Sequence, residues 1–221
     1  KDLVLISDKY KVDPDILVAL WGVESFYGKN LGNFIIINSL ASLSFDGRRK
    51  KFFLNQLKHS LEIIEKNNFS IKDYTGSWAG AFGQTQFMPS TFLNYAVDYN
   101  GDGIKDLKKN SLDALASGAN YLKKMGWKES LNWGEEITLN ETDDSKIKKD
   151  KCITLQYLQK KDFKLKKKYP NNTCFRIIKP EKNEKSTFLV TSNFDILLKW
   201  NKSNFFALAV GKLSDKISIG Q

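Results

Sequence analysis

A single carboxylate, Glu24, interrupts an otherwise almost wholly apolar run, LVALWGVESFYG, from Leu17 to Gly28. Positions three, four and seven apart share one face of a helix, so Glu24 projects between Leu17, Leu20 and Trp21. A carboxylate in that company is expected to be largely desolvated. Burial disfavours its charged form and lifts its pKa from about 4.3 toward roughly 6, where a proton is still held near neutral pH. That is the requirement for a general acid. The other reading of the same helix is a glutamate bonded to a neighbouring helix or facing a wet groove.

A second stretch, GSWAGAFGQTQFMPSTF from Gly76 to Phe92, combines small residues with Ser77, Gln84 and Gln86. Small residues let a ligand approach the backbone, and uncharged polar groups suit a neutral, hydroxyl-rich ligand. A tight packing loop is the alternative. A third stretch, DYNGDGIKDLKKNSLD, places Asp98, Asn100 and Asp102 at positions one, three and five of an EF-hand-like loop. Gly103 falls at six and the Ile104 carbonyl at seven. Position twelve is Lys109 where glutamate is required, so an ordinary twelve-residue calcium loop fails and a plain Asn-Gly-Asp-Gly turn remains open. His59 is the one histidine, and no cluster of Cys and His offers zinc four ligands, which argues against both Ser-His nucleophilic and zinc chemistry.

These residues need elements to carry them. Asp13-Pro14 offers a cap and a first-turn proline for the helix bearing Glu24, which Gly28 closes. Further helices are expected over about 48–66, 90–97 and 111–124, the last stopped by Gly126. From about Trp133 to Trp200, the stretches EITL, CITLQYL, CFRII and STFLV read as strands of a small β-rich subdomain. Ser203 then caps a final helix. The expected division is a helical domain over 1–132, a β-rich subdomain over 133–200, and a C-terminal helix over 201–221 that returns to the helical body.

The net charge of +10 comes from one segment: Lys146 to Lys185 holds fourteen Lys or Arg against four acids. Such a patch suits nucleic acid, anionic lipid or an acidic wall polymer, or is simply a solvated lysine-rich face. No aromatic-interleaved nucleic-acid module accompanies it, and nucleic acid is not the expected partner. No apolar run reaches the roughly 18 to 20 residues that span a bilayer. Any signal peptide or membrane anchor would lie upstream of Lys1. Cys152 and Cys174 allow one disulfide, which would point to an exported protein.

GVESFYG followed by GSWAGAFGQTQFMPSTF resembles the lytic murein transglycosylases of the B type. DYNGDGIKDL, SLDALASGANYLKKMGW and KWNKSNFFALAVGKL continue the resemblance in the family's order, while the β-rich segment matches loosely. The resemblance implies an α+β, lysozyme-like fold, a groove for peptidoglycan glycan strands, a monomer, and a periplasmic location with anchoring to the outer membrane. It places the catalytic acid on Glu24, the active-site serine on Ser77, the glycan-binding glutamine on Gln86, the groove tyrosine on Tyr121 and the late asparagine on Asn201. Arg48 and Arg49 match the family's arginine pair, whose forks suit peptide carboxylates or sugar oxygens. Asp113 matches the closing carboxylate of a longer calcium-loop variant, which would make the ion structural. Two departures stand out: Trp200 replaces a tyrosine before Asn201, and only 23 residues precede Glu24, where the family carries another groove aromatic.

The implied mechanism uses no cofactor and one glutamate in place of the usual two carboxylates. Glu24 protonates the oxygen between N-acetylmuramic acid and N-acetylglucosamine, then accepts the proton of the muramyl C6 hydroxyl as a 1,6-anhydro ring closes. Ser77 and Asn201 would orient the N-acetyl group or stabilise developing charge. The alternatives are a hydrolytic muramidase, a non-catalytic peptidoglycan-binding module holding the anionic polymer through its basic subdomain, and, from charge alone, a nucleic-acid binder.

Overall fold

The computed structural model describes residues 1–67, 69–138, 152–161, 163–180 and 186–219. It divides into two compact units, Lys1–Lys123 and Lys124–Gln221. The first is helical: α1 (Asp2–Tyr10), α2 (Pro14–Ser25), α3 (Ile36–Phe45), α4 (Lys50–Asn67), α5 (Pro89–Tyr95) and α6 (Ser111–Met125). Two two-residue strands, β1 (Phe34–Ile35) and β2 (Thr75–Gly76), pair antiparallel with Phe34 opposite Gly76.

Pro14 opens α2 as expected, since its missing N–H costs nothing in a first turn. Asp13 occupies the cap position, yet its side chain makes no cap hydrogen bond. Helix α2 buries Ile16, Leu17, Ala19 and Leu20, and α3 buries Ile36 and Leu40. In α6 the run from Asp113 to Ala119 is buried without interruption, and Gly126 just beyond the helix adopts the left-handed conformation that stops it (φ 102°).

The second unit carries a four-stranded antiparallel sheet of β3 (Gly134–Ile137), β4 (Ile153–Thr154), β5 (Cys174–Ile178) and β6 (Thr187–Val190), in the order β3-β6-β5-β4. Its helices are α7 (Leu155–Lys160), α8 (Ser192–Trp200) and α9 (Asn204–Ile219). The stretch CITLQYL, read as a strand, divides in two. Only Ile153 and Thr154 pair with β5, and Thr154 then accepts a hydrogen bond from the Tyr157 N–H and starts α7. Helix α8 lies inside the region read as a small β-rich subdomain. Ile153, Leu155, Leu158, Phe175, Ile177 and Leu189 form this unit's small core. A disulfide joins Cys152 to Cys174 (Cα–Cα 5.1 Å), tying β4 to β5.

The boundaries expected at 132 and 200 both fall within the second unit. Ser203 caps α9 through a bond from the Phe206 N–H, and α9 is fastened to the start of the sheet. Trp133 Nε1 donates to Asp215 Oδ1 at 3.1 Å, and Lys212 pairs with Glu136 at 3.0 Å. Among the described residues, no helix is long and apolar enough to cross a membrane.

Candidate active site

Glu24 stands on the last turn of α2, half-buried, below Leu17 and Leu20, which are 2% and 3% exposed. The withdrawal from water expected of this carboxylate is therefore partial. The backbone just beyond it is unusual: Phe26, Tyr27 and Gly28 are all left-handed (φ 50°, 59° and 80°). For the two non-glycine residues this costs about 1–2 kcal/mol each, so the surroundings must impose it. The Phe26 N–H donates to the Gly22 carbonyl, the Gly28 N–H to Ser25 Oγ, and the Asn30 N–H to the Ser25 carbonyl. Tyr27 lies on the bare face of Gly22, where a Cβ would sit 2.8 Å from the ring, and meets Trp21 edge-on at 5.6 Å.

The loop from Gly76 to Met88 is held by its backbone. The Ser77 N–H donates to the Ala81 carbonyl at 2.7 Å and the Gly80 N–H to the Ser77 carbonyl, while Phe82 and Phe87 form an antiparallel bridge. Ser77 Oγ accepts from the Ala81 N–H at 3.0 Å; among the described residues its own proton is not donated. Gln86 is half-buried and left-handed (φ 47°), and its Nε2 donates to the Leu31 and Gly83 carbonyls. Its Oε1 accepts nothing from the described residues and remains an available acceptor.

Gln84 plays a different part from the ligand contact expected of it. It is 6% exposed, accepts from Trp21 Nε1 at 2.9 Å and donates from Nε2 to the Lys108 carbonyl at 3.2 Å. It thus ties the helix of Glu24 to the glycine loop, as does the Gln86–Leu31 bond. No local signal marks this brace, because its partner lies 63 positions away. Ser25, 1% exposed and capping the turn after Glu24, also escaped the reading of the sequence.

Tyr121 on α6 is 8% exposed, and burial, with Tyr95 beside it, pushes its phenol up to about 12. Its ring meets Tyr95 at 5.0 Å and Phe87 at 6.0 Å. Arg48 and Arg49 are exposed in the turn before α4, with the Arg49 guanidinium 4.2 Å from the centre of the Phe52 ring. Trp200 and Asn201 belong to the second unit: Trp200 is half-buried at the end of α8, and the exposed Asn201 is its C-cap, donating its N–H to the Leu197 carbonyl. A cavity of about 220 Å³ against Phe69, Tyr74, Phe82 and Leu107 contains none of these residues.

The acidic loop turns its side chains on itself. Asp98 accepts from the Gly101 and Gly103 N–H groups, Asp102 from the Ile104 N–H and Asn100 Nδ2, and Asn100 Oδ1 from the Asp102 N–H. Asp113, fully buried, accepts the Tyr99 N–H on one oxygen and the Asp106 N–H on the other. Each of these carboxylate oxygens keeps a further lone pair beyond the N–H bond it accepts. Among the described residues, no three His, Cys, Asp or Glu side chains gather around a common point.

Comparison with known proteins follows this pattern. The model of the transglycosylase SLT domain family matches residues 1–215. Membrane-bound lytic murein transglycosylase B of Escherichia coli is 41% identical over 119 residues, which are 53% of this chain and 33% of that protein. SltB3 from Pseudomonas aeruginosa, solved with NAG-NAM-pentapeptide, superposes with a TM-score of 0.89 at 39% identity, over 98% of this chain and 60% of that one. Slt35 of E. coli, solved with calcium, gives 0.85 at 27% over 99% and 70%. The chain thus spans about a third of its curated relative and three fifths of SltB3. The lysozyme-like α+β fold is that of these lytic transglycosylases, and the chain belongs to the transglycosylase SLT domain family.

Proposed function

We propose that the chain is the catalytic unit of a lytic transglycosylase that cleaves the β-1,4 bond between N-acetylmuramic acid and N-acetylglucosamine in peptidoglycan. The supporting observation is the junction of α2 with the glycine loop. Glu24 ends a helix braced through Trp21–Gln84 and Leu31–Gln86 to a loop that keeps Ser77 Oγ–H and Gln86 Oε1 for a ligand. The solved complexes of SltB3 with NAG-NAM- and NAG-anhNAM-pentapeptide support this substrate class.

Protonated Glu24 gives its proton to the glycosidic oxygen as the bond to the muramyl anomeric carbon breaks. The resulting carboxylate takes the proton of the C6 hydroxyl, whose oxygen closes on that carbon to leave a 1,6-anhydro end. Glu24 finishes protonated, and no water is consumed. Ser77 and Asn201 orient the N-acetyl group or stabilise the cationic transition state, Gln86 and Tyr121 position the sugars, Trp200 offers a stacking face, and Arg48 and Arg49 bind carboxylates or sugar oxygens.

Digestion of purified sacculi tests this reading. Wild type should release muropeptides lighter by one water, and Glu24→Gln should release fewer by about a thousandfold, the scale of a lost general acid. Equal yields would remove Glu24 from its role. Reducing ends in place of anhydro ends would establish a muramidase, and sacculus binding without cleavage a wall-binding module.

The periplasm is the proposed compartment, which the Cys152–Cys174 disulfide favours. Anchoring to a membrane is proposed by likeness to the membrane-bound relative, and the working form is proposed to be a monomer. Calcium in the acidic loop is proposed by likeness to Slt35. An ion there would bond to the remaining lone pairs of these side chains, so excess calcium over chelator should raise the melting temperature of wild type but not of Asp98→Ala. The same rise in both would locate any ion elsewhere.

A further inference from the structure

The excess positive charge seen in the sequence is presented in an ordered way. From Phe163 to Tyr169 exposure alternates: Phe163, Leu165 and Tyr169 pack on the small core of the second unit, while Lys164, Lys166 and Lys168 are exposed. Lys167 turns inward instead. Its ammonium donates to the Gly134 carbonyl, pairs with Asp215 at 2.5 Å and lies 4.8 Å from the Trp133 ring centre. Lys160 and Lys161, at the end of α7, are exposed as well.

The backbone from Lys166 to Lys168 is held by Glu135 and Asn132. Glu135 is 3% exposed, and its carboxylate accepts the Lys166 N–H at 2.7 Å and the Lys167 N–H at 3.3 Å. Asn132 Nδ2 donates to the Lys168 carbonyl. Burying a carboxylate is costly unless it is well bonded, and here its bonds hold in place the segment that displays the lysines. Among the described residues, Lys160, Lys161, Lys164, Lys166 and Lys168 form no ion pair. Lys166 only helps to hold down the pKa of Glu136, which is bonded to Lys212.

We propose that Lys164, Lys166 and Lys168, with Lys160 and Lys161 beside them, form a docking surface for the carboxylates of peptidoglycan stem peptides, a hold on the polymer separate from the reacting sugars. Successive outward lysines lie two residues apart, no more than about 7 Å along the chain, so they meet a dense array of negative groups rather than one isolated ion. Their charge is complementary to a polymer whose peptides end in carboxylates, and their fixed backbone reduces the ordering cost of binding. Joined in one chain to the catalytic unit, this surface raises the effective concentration of enzyme at the wall. The inference rests on the murein reading above.

Two measurements with Lys164→Glu/Lys166→Glu/Lys168→Glu test the surface: co-sedimentation with intact sacculi over a salt series, and cleavage of a soluble, peptide-free glycan. The expected result is sacculus affinity at low salt weaker by roughly tenfold, with a flatter salt dependence, and unchanged turnover of the soluble glycan. Circular dichroism confirms folding, and Lys164→Gln/Lys166→Gln/Lys168→Gln should show a smaller loss in the same direction. Wild-type affinity in the charge-reversed variant overturns the proposal. So does loss of binding to phosphatidylglycerol vesicles with sacculus binding intact, which would make the surface a membrane contact. If wild type binds sacculi through the lysines yet cleaves no glycan, the catalytic reading fails and the docking surface stands.

Discussion

Two polar loops of the first unit, 76–88 and 98–113, use their side chains in opposite ways. The glycine loop is held by backbone bonds and by Gln84, and among the described residues leaves Ser77 Oγ–H and Gln86 Oε1 unspent. The acidic loop spends Asp98, Asp102 and Asp113 on its own backbone N–H groups. The first arrangement leaves polar groups for the proposed glycan, and the second braces its own backbone.

The contrast is most exposed to failure at Asp113. Asp113→Ala leaves the N–H groups of half-buried Tyr99 and Asp106 without this acceptor and removes a fully buried carboxylate, which should cost about 2 kcal/mol in urea unfolding; a loss below about 0.5 kcal/mol would mean that the loop does not depend on this carboxylate. Gln84→Leu orphans the Trp21 N–H and should cost about 2 kcal/mol. Because the pair acts as a unit, Trp21→Phe added to Gln84→Leu should cost less than the sum of the two single changes; strict additivity would dissolve the brace. Gln86→Ala is expected to slow glycan cleavage by about tenfold, the worth of one good hydrogen bond, and, because it also removes the bonds to the Leu31 and Gly83 carbonyls, to cost about 1 kcal/mol in stability. A variant that melts early at full activity would move Gln86 to the structural side. The smallest effect is expected at Asp98, partly exposed, where alanine should cost about 1 kcal/mol and leave cleavage untouched.

Much of this was legible in the sequence, and the gaps have physical causes. Helix α6 announced itself through Ser111, a 3.6-residue pattern and Gly126, all local signals. So did the strands CFRII and STFLV, whose β-branched and aromatic residues suit a half-buried sheet; of EITL only Glu136 and Ile137 fall in a strand, which begins at Gly134, and Leu139 lies outside the described residues. Helix α7 was hidden because Ile153 and Thr154 begin a β-like run, and only the Thr154 side-chain cap diverts the chain. The short α1 went unread: its Val4 and Leu5 are exposed, which blurs the amphipathic pattern. Glu24, Ser77 and Gln86 are singled out by residue type, spacing and resemblance. The duty of Gln84 is not, since a hydrogen bond between distant segments exists only once the chain has folded.

The Cys152–Cys174 crosslink has a practical corollary for anyone making this protein. It closes a loop of 22 residues across a two-residue ladder, a closure worth about 3 kcal/mol on entropic grounds. That loop also contains the lysine row. Material grown in a reducing cytoplasm, or stored with dithiothreitol, would lose this staple and, if the lysine row docks the wall as proposed, bind sacculi poorly, a fault easily mistaken for a weak enzyme.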